Sequence, residues 1–210
     1  MLIIARLLVL LLFISLAFMT NQAYAAQESK FEVTPLMGYR FGGDFESQDA
    51  GTTSTVKLTE NINYGLLFAW NVDRKRQGEV LISHNNTEFS LLGGSVASNN
   101  NLAITYAHIG GNVPISYGAV PLFITGGFGL THFSPEDSLL ANETRFSMNV
   151  GLATKISVTE SLSLRFGGRL YATLFNSDSA IFCDEENCAI SISSDLWIQS
   201  EVNAGVTFTF

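Results

Sequence analysis

Apolar and polar residues alternate along most of this chain, and the alternation is longest in Leu196–Phe210. Leu196, Ile198, Val202, Ala204, Val206, Phe208 and Phe210 fall on one face; Trp197, Gln199, Glu201, Asn203, Gly205, Thr207 and Thr209 fall on the other. Side chains of a strand point to opposite faces in turn, so the period of two predicts a strand with one apolar and one mostly polar side. The same period divides the chain into eight predicted strands: Phe31–Gly43, Val56–Val72, Glu79–Val96, Leu102–Val113, Val120–Phe133, Glu143–Val158, Leu162–Phe175 and Ile190–Phe210. No helical period is seen after residue 25. The predicted connections alternate between long and short. Asp44–Ser54, the run Asn99-Asn100-Asn101, Ser134–Asn142 and Asn176–Ala189 are of the long kind; Asp73–Gly78, Pro114–Ala119 and Thr159–Ser161 are short.

Strands of about 9–11 tilted residues, apolar on one side, with short periplasmic turns and longer outer loops, are the pattern of a transmembrane β-barrel. The expected fold is therefore all-β, an eight-stranded antiparallel up-and-down barrel. The apolar face is Phe31, Val33, Met37, Tyr39 and Phe41 in the first strand, with Glu32, Thr34 and Arg40 inward. In Glu143–Val158 it is Phe146, Met148, Val150, Leu152 and Ile156, and in Leu162–Phe175 it is Leu162, Leu164, Phe166, Leu170 and Leu174. Leu102–Val113 has no clean phase. Tyr64 and Trp70 sit on the apolar face of the second strand, as girdle residues would. The glycine pairs at 42–43, 93–94, 110–111, 126–127 and 167–168 read as bends or close backbone approaches within a curled sheet.

Residues 1–25 read as a secretory signal. Arg6 is the only charge, Leu7 to Phe18 is apolar, and Ala23-Tyr24-Ala25 supplies the small residues of a cleavage site. The expected barrel domain is 26–210. Composition agrees: 47% of residues are hydrophobic and 14% charged, without a second long apolar block. The net charge of −8, or −9 once Arg6 is removed, argues against a nucleic-acid partner.

Chemistry-bearing residues are sparse. Cys183 and Cys188 bracket a short acidic segment and, in an exported chain, predict a disulfide that shapes a loop tip. His84, His108 and His132 lie on three successive strands, which speaks against a shared metal site, and no metal or cofactor is expected. His132, Ser134 and Glu136 are the one candidate hydrolytic set, the reading of a lipid A-modifying enzyme of the deacylase kind, set against a chain expected to have no catalytic residues. Acidic outer loops are expected to be solvated or to meet lipopolysaccharide through divalent cations. Arg74-Lys75-Arg76 lies in a short turn, placed to meet anionic headgroups.

The stretches from Glu32 to Gly43, His108 to Gly111, Glu143 to Phe146 and Tyr171 to Cys183 resemble small proteobacterial outer-membrane barrel proteins of the porin-like type, the group of outer-membrane proteins A, W and X. The resemblance covers the chain beyond its leader. It implies an eight-stranded barrel in the outer membrane of a Gram-negative cell envelope, inserted by the barrel-assembly machinery, which reads a terminal aromatic such as Phe210, supported here by Phe208. It carries no catalytic residues. Outer-membrane lipids and lipopolysaccharide are the expected surroundings, and a monomer the expected state.

The inward phase collects Arg40, Arg145, Lys155, Arg165 and Arg169 against Glu32, Glu79 and Glu201. An eight-stranded barrel is just wide enough inside for side chains to fill it. If Thr209 lies beside Glu32 at the closing seam, Glu201 comes level with Arg40. An Arg40–Glu201–Arg169 cluster that blocks wide passage is the resulting expectation.

Overall fold

The computed structural model describes residues 31–49, 52–91, 101–118, 120–136, 141–175, 180–183, 188–191 and 196–210. The expected leader, residues 1–25, and its expected cleavage site lie outside them. Twelve strands are present: β1 (Phe31–Phe41), β2 (Phe45–Asp49), β3 (Thr52–Leu58), β4 (Asn61–Asn71), β5 (Gln77–Leu91), β6 (Asn101–Ser116), β7 (Leu122–Pro135), β8 (Glu143–Ser157), β9 (Leu162–Leu174), β10 (Ala180–Cys183), β11 (Cys188–Ser191) and β12 (Leu196–Thr209).

Eight of them, β1, β4, β5, β6, β7, β8, β9 and β12, pair antiparallel in a closed ring. Each pairs with its neighbour in that order, and β12 returns to β1. Closure leaves no open edge within the barrel, which satisfies the backbone of a membrane-spanning sheet. At the seam the terminal residues also pair, Phe210 N–H donating to Phe31 O at 2.9 Å.

The ring is strongly staggered. From Tyr64, register partners lead through His84, Thr105 and His132 to Thr144 of β8. In the other direction they lead through Met37, Ala204 and Phe166 to Thr154 of the same strand. The two arrivals are ten residues apart, the shear of the closed sheet. Shear of this kind accompanies the roughly 35–45° strand tilt typical of barrels.

The faces follow the alternation. Met37, Tyr64, Phe128, Phe146, Val150, Leu170, Ile198 and Val202 are exposed on the outside, a wall suited to lipid. Trp70 lies over Gly78 of the next strand and close to Phe68, near the short-turn end. The unphased Leu102–Val113 stretch resolves inside β6: Leu102, Ile104, Tyr106, His108 and Asn112 are buried in the interior. Its pattern was blurred because the inner face is apolar at one end and polar at the other, while the outer face is apolar for most of its length.

Two predicted strands change. Val56–Val72 divides at 59–60 into the end of β3 and all of β4, and β3 pairs with β5 at Val56↔Leu91. The predicted connection Asp44–Ser54 is thus mostly a hairpin, β2–β3, which runs on to Leu58 and extends the sheet beyond the ring. Ile190–Phe210 likewise divides: Ile190 belongs to β11, and the barrel strand starts at Leu196. Gly42 and Gly43 have φ of 77° and 91°, a conformation that favours glycine, and they turn the chain out of β1 into this hairpin. The short connections at 72–76 and 158–161 fall where expected, whereas Pro114–Ser116, expected in the remaining one, belong to β6, and β7 starts at Leu122 and not at Val120.

The backbone register of β10 and β11 places Cys183 directly opposite Cys188. Their side chains lie outside the described residues, so the disulfide stands as a proposal. Thiol labelling under denaturing, non-reducing conditions should find no free cysteine, and Cys183→Ser should leave barrel assembly intact because this hairpin is separate from the ring.

Candidate functional site

The interior is the site, and it is layered. Toward the long-loop end Phe133 packs against Trp197 and Phe175, with ring centroids 5.2 and 5.8 Å apart. Leu102 and Ile104 complete this buried apolar layer. Arg145, expected with the central cations, instead pairs with Glu143 at 3.2 Å, half-buried, its guanidinium 5.8 Å from the Phe175 ring.

Below it Tyr106 and Tyr171 stack at 4.1 Å, and the Arg40 guanidinium sits 4.7 and 5.3 Å from their rings. Arg40 donates to Glu201 at 2.9 Å, to Ser83 at 2.6 Å and to Asn85 at 3.2 Å. Glu201 also accepts from Ser83, from the Tyr171 hydroxyl and from Asn203 at 3.1, 3.1 and 2.7 Å. A carboxylate so filled keeps its charge in the interior by hydrogen bonds as well as by ion pairing. Tyr106 in turn donates to Gln199 at 2.9 Å.

The seam register is Glu32↔Thr209 and Arg40↔Glu201, with Glu201↔Arg169 on the other side. Arg169 does not join Glu201, however. Its guanidinium donates to Asn149 at 2.8 Å and to Glu79 at 3.1 Å. Register brings backbones level; the long side chain reaches the carboxylate with free acceptor sites, and Glu201 already holds four donors. Glu79 is the second hub, accepting from Arg165 at 2.9 Å and Asn112 at 2.7 Å as well. Lys155 pairs with Glu32 at 2.6 Å near the short turns. The expected single cluster is thus three separate ion-pair groups inside the barrel, at Glu201, Glu79 and Glu32.

Polar partners that the sequence pattern did not single out join the groups. His108, buried between them, accepts from Asn149 at Nδ1 (2.9 Å), so Nε2 carries the proton to Ser147 at 2.8 Å. Its strand shows no clean phase in the sequence, so its inward position came only with the structure. His84 and His132 point outward instead, each with Nδ1 2.8 Å from a threonine hydroxyl, Thr105 and Thr144. Ser134 donates to Asn142 at 3.0 Å, and Glu136 accepts from Asn101. The structure places His132, Ser134 and Glu136 on one outer face without a hydrogen bond linking them. Among the described residues no cluster of His, Cys, Asp or Glu is arranged to hold a metal ion.

At the short-turn end Asp73 orders its own turn. It accepts from the backbone N–H of Lys75 and Arg76 at 2.8 and 2.7 Å and from Arg76 Nε at 2.7 Å. The Lys75 N–H first, then the Arg76 side chain, hold its carboxyl down at about 2.

No protein-family model matches the chain, and no curated protein matches it in sequence. Solved structures do match in fold. Outer membrane protein OprG from Pseudomonas aeruginosa superposes with a TM-score of 0.61 at 11% identity, covering 87% of this chain and 96% of OprG. The Neisserial surface protein A superposes with a TM-score of 0.56 at 10% identity, covering 86% and 97%. Closed ring, apolar outer wall and these superpositions agree: the chain has the fold of the small eight-stranded outer-membrane β-barrels.

Proposed function

We propose that this chain is a non-enzymatic integral outer-membrane barrel with a structural or surface role, its interior closed to anything larger than water and small ions. The observation that carries the reading is the interior itself. An apolar layer, a stacked tyrosine pair and three ion-pair groups follow one another along the axis, each drawing on several strands. Buried charges of this kind resist displacement, because removing one partner strands the other in a medium that solvates it poorly. Lipids and lipopolysaccharide would surround the outer wall, and the barrel-assembly machinery would insert it with Phe208 and Phe210 at the terminal strand. The surface role is also what the name of Neisserial surface protein A states for that protein; fold alone does not transfer it.

Planar-bilayer recording of the purified protein tests the closed interior. Conductance should be small or absent. A stable open current of porin size defeats the reading.

A further inference from the structure

The short-turn end of the barrel opens into a concavity of about 240 Å³, formed by the turn at 72–76, by Tyr117 and Pro121, and by the adjoining strand ends. Its walls are chemically distinct. Arg74, Lys75 and Lys155 supply positive charge; Phe123 and the exposed Tyr117 supply aromatic surface; Asn112 and Gln77 supply amides. Lys155 Nζ stands 5.9 Å from the Phe123 ring centroid, so charge and aromatic face lie side by side. Asp73 lines the concavity too, but its carboxylate is ion-paired with Arg76 of the same turn at 2.7 Å, which leaves Arg74 and Lys75 in excess.

Two observations indicate that the site is incomplete without a ligand. First, Asn112 is buried, and its Nδ2 is spent on Glu79 at 2.7 Å and Gln77 at 3.0 Å, while its Oδ1 has no partner. Opposite it in the register, the buried Thr125 hydroxyl has none either. Buried polar groups are rarely left so; Arg40, Asn63, Thr125 and Arg145 hold the other such atoms among the described residues, and of the five Asn112 is the one that lines this concavity. Second, the cations of this end exceed its carboxylates. Lys155, Arg165 and Arg169 share Glu32 and Glu79, and Lys155 lies directly across from Arg165. An excess buried cation favours an anion nearby.

We propose that this vestibule binds a small hydroxylated anion of sugar size, a sugar acid or sugar phosphate. The anionic group meets Lys155 with Arg74 and Lys75 at the rim, in charge-assisted hydrogen bonds. A hydroxyl donates to Asn112 Oδ1, an atom covered in this structure that the amide must turn toward the concavity to offer, and a bare anion cannot supply that donor. The C–H face of the ring lies on Phe123 and Tyr117. Convergent polar groups beside aromatic surface in a concavity are the usual make-up of a small-molecule site. The inference goes beyond the closed-barrel reading and does not depend on it, since the vestibule is filled from the short-turn side whether or not the barrel conducts.

The test is titration of the purified protein in zwitterionic micelles with glucuronate, glucose 6-phosphate, inorganic phosphate and neutral glucose, following backbone amide shifts of residues 72–77 and 112. Saturable shifts with glucuronate, glucose 6-phosphate or both are expected, and whichever binds names the anionic group. Glucose should give none, and inorganic phosphate should bind at least tenfold more weakly than the better sugar anion. The Arg74→Glu, Lys75→Glu double variant, confined to an exposed turn, should lose at least tenfold in affinity; Asn112→Leu should lose the hydroxyl-dependent part wherever it folds. No saturable shift, equal response to glucose, phosphate binding as tightly as the sugar anions, or an unchanged double variant overturns the proposal.

Discussion

Glu79→Gln should destabilise the barrel by about 3–5 kcal/mol, the usual cost of removing one partner from a buried ion pair. Glu79 alone among the interior carboxylates described accepts from two guanidinium groups, Arg165 at 2.9 Å and Arg169 at 3.1 Å. Glutamine keeps an acceptor oxygen but withdraws the charge that both buried guanidinium groups share. Glu201→Gln should cost less, about 1.5–3 kcal/mol, the range for hydrogen bonds to charged groups. There a single guanidinium loses its counter-charge, and Arg40 retains Ser83, Asn85 and the two tyrosine faces. Chemical unfolding in detergent, followed by fluorescence of the buried Trp197, gives both numbers. Equal costs, or a larger one at Glu201, would contradict the hub assignment.

Gly110→Ala should cut the yield of folded barrel severely, while Gly126→Ala, on the facing strand, should fold as well as the parent. Sequence offers no reason to separate them, since both belong to glycine pairs in strand interiors. The difference is in what a methyl group would meet. At Gly110 a Cβ would stand 2.0 Å from Gly126 O and 2.5 Å from Gly127 Cα, backbone atoms that cannot swing aside. Moving two paired strands apart to admit it costs about 1–3 kcal/mol or more, as overpacking generally does. At Gly126 the nearest atom is Asn149 O at 3.5 Å, an ordinary contact, and alanine is the better residue there by about 0.5–1 kcal/mol. The shift in electrophoretic mobility between heated and unheated samples measures the folded fraction. Comparable folding of the two variants would show that the sheet at β6–β7 gives more freely than its geometry indicates.

The outer hairpins and the partner of Arg169 were the parts least legible beforehand. Val56, Lys57 and Leu58 are in phase with the strand that follows, so the polar run Thr59-Glu60-Asn61 interrupts the alternation without shifting it; β3 is defined by pairing with β5, a contact distant in sequence. Arg169 lies level with Glu201 as the seam register requires, yet a side chain of its length can serve a carboxylate above or below. Which one it serves depends on donors from β1, β5, β9 and β12 that already occupy Glu201. The vestibule was less legible still, because Asn112, Lys155 and the 72–76 turn come from three separated stretches of chain.

What the sequence by itself determined is whatever repeats with the strand period. The inward and outward faces of β1, β8, β9 and β12, the eight-strand count and the alternation of short turns with long loops all follow from residues two apart pointing the same way. Once Thr209 is set beside Glu32, Arg40 opposite Glu201 follows by counting, because one aligned residue sets the register of a whole antiparallel pair; that first alignment came from the structure. Only the tertiary structure decided which charge answers which, that a stacked Tyr106–Tyr171 pair shelters Arg40, and that Asn112 and Thr125 keep unfilled polar atoms beside a basic mouth. Those relations cross the barrel from strand to strand. They depend on the ten-residue stagger of the closed ring and on the reach of individual side chains, and neither is periodic along the chain.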